Sequence, residues 1–386
     1  MTAVVEQLSA AFGHWRRRPH EIIRELLAGC GVMINGDQPW DIHVHDPRLY
    51  ARVLRDGTLG VGESFVDGWW SCEALDQMIE RVTRARLPQA LGNNWALRAQ
   101  VVRAHLLNLQ VSRAFEVGER HYDVGNDLYE AMLGPRMIYT CAYFKNADTL
   151  DAAQDAKLDL VCRKIGLRPG MRVLDLGCGW GGFAAYAAER YGVSVVGYTV
   201  SRQQVAWVKE RFGHLPVEIR LDDYRNATGS YDAVVSIGLM EHVGPKNHRS
   251  YMELAARCLA PGGIAFVHTI GAATPRTQID PWFDKYIFPN AAIPTLGQLV
   301  TAMEGILIPE DVQNIGPHYD RTLMAWWSNF NDAWPRLRAR YGDRFYRAWK
   351  YYLLASAAYF RARENNLYQI VASPTGAAQP PSARSS

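Results

Sequence analysis

Short apolar runs alternate with helix-period segments through the second half of the chain. Met171 to Leu176, Val193 to Tyr198, Val217 to Leu221, Tyr231 to Ile237 and Ile264 to Thr269 read as strands, and Leu158 to Ile165 and Phe183 to Tyr191 as helices. Strands that alternate with helices imply a parallel sheet covered on both faces, so the larger unit is an α/β, doubly wound fold. Residues 1 to about 85 differ: a helical pattern at Glu21 to Leu27, an extended stretch at Trp40 to Val44 and a turn-rich segment from Asp56 to Trp70 suggest a small α+β unit. Between the two, Leu97, Val101, Leu106, Leu107 and Val111 recur at helical spacing in polar text. The expected organisation is an N-terminal domain at 1–93, a linker helix at 94–117, the α/β unit at 118–372 and a disordered tail at 373–386, where Pro, Ser and Ala dominate.

A length of 386 residues agrees with two folding units. A net charge of only +3 makes no case for a nucleic-acid binder, which concentrates Lys and Arg far more heavily. The six cysteines, Cys30, Cys72, Cys141, Cys162, Cys178 and Cys258, form no CxxC pair and no metal-ligand spacing. They read as reduced thiols of a cytoplasmic protein. At the N-terminus the basic cluster Arg16 to Arg18 follows the mildly apolar stretch, the reverse of a secretory signal. Apolar windows such as Tyr351 to Phe360 are about half the ~20 residues a bilayer span needs. Any meeting with a membrane is therefore expected from the side.

Candidate chemistry begins at Asp175-Leu176-Gly177-Cys178-Gly179-Trp180-Gly181-Gly182, which follows a strand and precedes a helix. Its G-x-G-x-x-G spacing lets backbone approach a ligand at a helix N-terminus without naming that ligand; a nucleotide or a purely structural turn would use it too. A dinucleotide site wants an acidic residue after the second strand, and here that strand runs into Thr199. A carboxylate at Asp175 instead suits the ammonium-bearing end of S-adenosylmethionine, and the run resembles the first motif of class I methyltransferases. Asp222 and Asp223 follow the third strand on the ligand side of such a sheet, where one of them could accept from an adenine amine; as exposed acids they could equally sit in a solvated turn.

Further runs narrow the resemblance. They are Gly118 to Tyr129 (GERHYDVGNDLY), Tyr139 to Phe144 (YTCAYF), Ser236 to Gly244 (SIGLMEHVG), His268 to Gly271, Asp280 to Trp282, Phe288-Pro289 and, near the start, Gly62 to Trp70 (GESFVDGWW). Together they closely resemble the bacterial cyclopropane-fatty-acyl-phospholipid synthases over nearly the whole chain. Related mycolic-acid methyltransferases share the catalytic motifs but generally lack such a first domain, which favours a phospholipid substrate. The resemblance implies a class I methyltransferase Rossmann-like sheet with added helices forming an acyl pocket. It implies S-adenosylmethionine as co-substrate, held by the glycine loop (Asp175, Gly177, Gly179, Gly182), by Tyr139 and Thr140, by Thr199, Ser201 and Gln204, and by Asp223 and Tyr224. It also implies a bicarbonate ion contacted by Cys141, Glu241, His268, Ile270 and Tyr319. Thr140 stands where the family is expected to carry serine, and it keeps the hydroxyl.

The residue types suit the chemistry. An isolated alkene is a weak nucleophile that no base can activate beforehand, so positioning carries the first step. Methyl transfer leaves a carbocation that water would quench, and aromatic faces could stabilise it; Tyr143, Phe144, Tyr286, Tyr319 and Trp326 are candidates, with core packing as the plainer role of each. Ring closure removes a proton, a task the resemblance gives to bicarbonate held by Glu241, His268 and Tyr319. Glu241 could instead be a helix-start carboxylate, His268 a satisfied core histidine, and Cys141 a core residue using only its backbone. His242 is expected to be structural. Trp15 with Arg16, Arg17 and Arg18, and Arg338, Arg340, Arg344, Arg347 and Trp349, fit a lipid-facing role, or else a solvated helix face or dimer contact. By family analogy the protein is a homodimer at the inner face of the cell membrane, acting on an unsaturated phospholipid. A small-molecule methyltransferase would share the loop without needing the remaining motifs, and a lipid-binding module would need neither.

Overall fold

In the computed structural model, which describes residues 19–86, 125–276 and 278–380, the five apolar runs become β3 (Arg172–Asp175), β4 (Ser194–Thr199), β5 (Val217–Leu221), β6 (Tyr231–Ile237) and β7 (Leu259–Ala272). With β8 (Leu307–Asn314) and β9 (Asn365–Pro374) they form one seven-stranded sheet in the order β5-β4-β3-β6-β7-β9-β8. The first five strands are parallel, whereas β9 lies antiparallel between β7 and β8.

Alternation along each strand divides the core. Val173, Ala233, Val235, Phe266 and Val371 face α6 (Leu150–Lys164) and α7 (Gly182–Tyr191). Leu174, Val234, Val267 and Ile370 face α10 (His248–Arg257) and α12 (Leu296–Met303). Burial on both faces is why these strands read as near-continuous apolar runs. Order reverses at β3, with β4 on one side and β6 on the other, and a doubly wound sheet opens its ligand crevice at such a point. The expected fold class is the one observed.

Before the sheet come α1 (Pro19–Ala28), β1 (His43–Val44), α2 (Arg48–Asp56), α3 (Thr58–Val66), β2 (Trp70–Ser71), α4 (Leu75–Arg84) and α5 (Asn126–Leu133). Among the described residues 19–86 this unit is chiefly helical; its strand pairing is one antiparallel pair of two residues a side, beside a lone parallel bridge between Ile34 and Ile42. The glycine-bearing stretch expected to turn is the helix α3, because Gly62 packs its backbone so close to Trp282 that an added Cβ would lie 2.4 Å from the indole. The remaining helices are α8 (Arg202–Phe212), the single turn α9 (Met240–Val243), α11 (Pro281–Tyr286) and α13 (Pro317–Arg361), the last broken at Gly342, whose φ is 75°. α3 and α4 pack on α13, and α3 also on α11. Ile23, Phe65, Trp70, Leu75 and Met78 thereby join Trp282, Tyr351 and Leu354 in one hydrophobic core.

The expected linker helix and the boundary at 93/94 lie outside the described residues. At the other end, Ser373 and Pro374 pair with Ile308 and Leu307, so the sheet runs two residues past the expected limit at 372 and into the stretch read as a tail.

Candidate active site

The carboxyl end of β3 delivers Asp175 into the glycine loop. Its Oδ1 accepts from the Gly177 N–H at 3.2 Å, and burial pushes the carboxyl up to about 7. Gly179 takes φ 54° with nothing near its missing Cβ, while a Cβ on Gly182 would meet the Arg136 carbonyl oxygen at 2.7 Å. The first glycine answers a left-handed turn and the second a close approach. At the end of β4, the Thr199 hydroxyl donates to Gln204 Oε1 at 2.5 Å. Ser201 caps α8 by accepting from the Gln204 N–H at 3.4 Å.

A cavity of about 200 Å³ lies over this edge. It is lined by Tyr139, Thr140, Asp175, Gly177, Gly179, Gly182, Thr199, Gln204, Asp223 and Tyr224, ten of the eleven expected cofactor residues. Ser201 does not line it, since its hydroxyl is spent on the helix start. Asp222 lines it beside Asp223, whose Oδ1 accepts from the Arg225 backbone N–H at 3.0 Å and from Arg225 Nε at 2.8 Å.

A second cavity, about 580 Å³, is lined by Glu241, His268, Ile270 and Tyr319, and reaches Thr58, Thr83 and Arg86 of the N-terminal unit. Tyr139, Thr140, Gly238 and His242 line both cavities, so the two spaces meet there. β6 and β7 set this geometry: the Gly238 N–H donates to the His268 carbonyl at 2.8 Å, and the Ile270 N–H to Glu241 Oε1 at 2.6 Å.

Glu241 Oε2 is buried without a hydrogen-bond partner among the described residues, as is His268 Nε2. Burial pushes the Glu241 carboxyl up to about 7, against the Ile270 hydrogen bond that pulls it down, and holds His268 neutral, well below the usual imidazole range. On the other ring nitrogen, His268 Nδ1 accepts from Gln369 Nε2 at 3.3 Å. Two buried polar atoms without a partner, Glu241 Oε2 and His268 Nε2, suit a small oxygen-bearing ligand that can both donate and accept.

Cys141 lines neither cavity. It is fully buried, its thiol donates to the Ala142 carbonyl at 3.2 Å, and burial pushes its pKa far up. Of the five proposed aromatic stabilisers only Tyr319 reaches the second cavity; Trp326 packs behind it, 6.0 Å away and edge-on. Tyr143 packs on His318, Phe144 lies under Arg321, and the Tyr286 hydroxyl donates to Glu63. Phe283, Phe288, Tyr352, Tyr359 and Phe360 line the space instead. His242, expected to be structural, lines the junction of the two cavities. Tyr352, not singled out in the sequence, shares a 2.6 Å hydrogen bond with Tyr139 across more than two hundred residues of chain. Lys157, four residues from both Ala153 and Val161, did carry a signal: a charge on the buried stripe of α6.

The lipid-facing expectation fares unevenly. Trp349 is buried, while Arg338, Arg340 and Arg344 pair with Asp343, Asp127 and Asp67. Trp15 and Arg16 to Arg18 lie outside the described residues.

Residues 109–370 match the family model described as mycolic acid cyclopropane synthetase. The cyclopropane-fatty-acyl-phospholipid synthase of Escherichia coli strain K12 is 46% identical over 371 residues, covering 96% of each chain. Among solved structures, a cyclopropane synthase from Mycobacterium tuberculosis superposes with TM-score 0.64 at 31% identity, covering 67% of this chain and 97% of that one. A mycolic acid cyclopropane synthase complexed with SAH and CTAB gives TM-score 0.63 at 30% identity, with the same two coverages.

Proposed function

Because the chain belongs to the mycolic acid cyclopropane synthetase family, we propose that it transfers a methylene unit from S-adenosylmethionine to the cis double bond of an unsaturated phospholipid acyl chain. The products are a cyclopropane acyl chain and S-adenosylhomocysteine. The observation that carries this reading is the meeting of two cavities at Tyr139, Thr140, Gly238 and His242, one on the glycine loop and the other walled by aromatic rings. A phospholipid substrate is favoured by the Escherichia coli synthase, whose likeness extends through the N-terminal unit.

Bound S-adenosylmethionine supplies the one-carbon unit; the chain's own side chains position and shelter the reaction. Tyr139 is fixed by Tyr352, and Thr140 by Gln154 Nε2 on its carbonyl at 2.9 Å and Lys157 on its hydroxyl at 3.0 Å, so the junction is held from two helices. Phe283, Phe288 and Phe360 keep water from a developing cation, and the faces of Tyr319 and Tyr352 attract it. Glu241, His268 and Tyr319 would hold bicarbonate, with Ile270 fixing the Glu241 carboxyl; when bound, that ion supplies the base for ring closure. Cys141 supports the wall behind. No helix among the described residues is long and apolar enough to cross a membrane. We place the enzyme as a homodimer working from the inner membrane surface.

The test is mass spectrometry of lipids after mixing the purified protein, S-adenosylmethionine and vesicles of an unsaturated phospholipid. A gain of one CH₂ with loss of the double bond is expected. Unchanged lipid beside measurable cofactor binding would sink the substrate assignment.

A further inference from the structure

Two lysines of α6 are buried, and the protein treats them differently. Lys164 meets the Asp311 carboxylate at 3.1 Å, the usual way to retain a cation inside a fold. Lys157, only 1% exposed, has no carboxylate within ion-pair distance among the described residues. Its Nζ donates to the Thr140 hydroxyl at 3.0 Å, which leaves two N–H bonds for another acceptor, and it lines the glycine-loop cavity. A buried ammonium satisfied by one neutral hydroxyl is costly.

Asp175 is also in this cavity, 2% exposed, with one N–H from Gly177 as its partner. The two groups influence each other electrostatically yet stand too far apart for an ion pair. A lysine and an aspartate that line one cavity without pairing match the two ends of an α-amino acid, whose ammonium and carboxylate branch from a single carbon.

We propose that Lys157 binds the α-carboxylate of the cofactor's amino-acid end while Asp175 receives its α-ammonium. The proposal rests on the reading of this cavity as the S-adenosylmethionine site and adds the group that reads the carboxylate. Burial supports it, since it drives the Lys157 pKa down to about 8 and the Asp175 pKa up to about 7, an undercompensated pair that a zwitterion would compensate. The bond from Lys157 to Thr140 ties carboxylate recognition to the junction of the two cavities, where the reacting carbon must emerge.

Calorimetric titration with S-adenosylhomocysteine and with its decarboxylated analogue, which keeps the ammonium, separates the carboxylate from the rest of the ligand. The unmodified enzyme is expected to prefer S-adenosylhomocysteine by at least about tenfold. Lys157→Met, and Lys157→Gln, which keeps a donor for Thr140 but no charge, should erase that preference by weakening S-adenosylhomocysteine alone. Parallel loss of both ligands in the variants, or equal affinity for both in the unmodified enzyme, overturns the proposal; the second comparison needs no variant to fold. Failure of the unmodified enzyme to bind S-adenosylhomocysteine at all would instead overturn the cofactor reading beneath it.

Discussion

Glu241 is held by one oxygen and open at the other, and the two consequences are separable. Glu241→Gln preserves the size and the acceptor for the Ile270 N–H but cannot ionise. S-adenosylmethionine binding should stay nearly unchanged while turnover falls at least about tenfold, roughly 1.4 kcal/mol of transition-state stabilisation; equal turnover would remove Glu241 from the reaction. Stability moves the other way. The carboxyl titrates at about 7 in the folded protein against an ordinary 4.5, so the folded state binds the extra proton between those values and loses stability as pH rises through them. The variant, which has no proton to lose, should gain in melting temperature over the parent from pH ~4.5 to ~7 and hold that gain above. A difference independent of pH would show that Glu241 is ionised throughout.

At the scale of elements, one tight junction lies between α3 and α11, where Gly62 sits against Trp282. Gly62→Ala should cost about 1–3 kcal/mol through overpacking, seen as a lower unfolding midpoint in urea; an unchanged midpoint would mean that the two helices separate at little cost. This helix also shows where legibility ended. β3, β4, β6 and β7 were readable because burial leaves apolar runs bounded by glycine or proline, whereas β5, the edge strand with Glu218 and Arg220, carries no buried residue. α3 was not readable, since Gly57, Gly60, Gly62 and Gly68 in twelve residues spell a turn, and only the fold sets Gly60 against Arg52 and Gly62 against Trp282. β8 and β9 were hidden by polar residues whose partners lie far off in the chain: Asp311 pairs with Lys164 of α6, and Gln369 with His268 of β7. α13 carries Pro335 and Gly342, both ordinary stop signals. Of the eleven residues named from the family resemblance, all but Ser201 line the glycine-loop cavity. The aromatic wall of the second cavity was mostly missed because Tyr352, Tyr359 and Phe360 come from the far half of α13, brought there by tertiary packing alone.

Across the whole molecule, the N-terminal unit and the sheet domain are joined by more than proximity. Arg361 meets Asp76 of α4 at 2.7 Å and Asp320 at 2.8 Å, Glu63 of α3 takes Lys285 at 2.6 Å, and one hydrophobic core runs through both units. Calorimetry should therefore show a single cooperative unfolding transition, whereas two resolved transitions would show that each unit folds alone. The place of β9 bears on the order in which a ribosome releases the chain. Both β7 and β8 pair with a strand that follows them in the chain, and with it arrives Gln369, the hydrogen-bond partner of His268 Nδ1. A chain released only as far as β8 has the cofactor loop but neither the ladder that joins β7 to β8 nor Gln369 beside His268, so activity waits for β9.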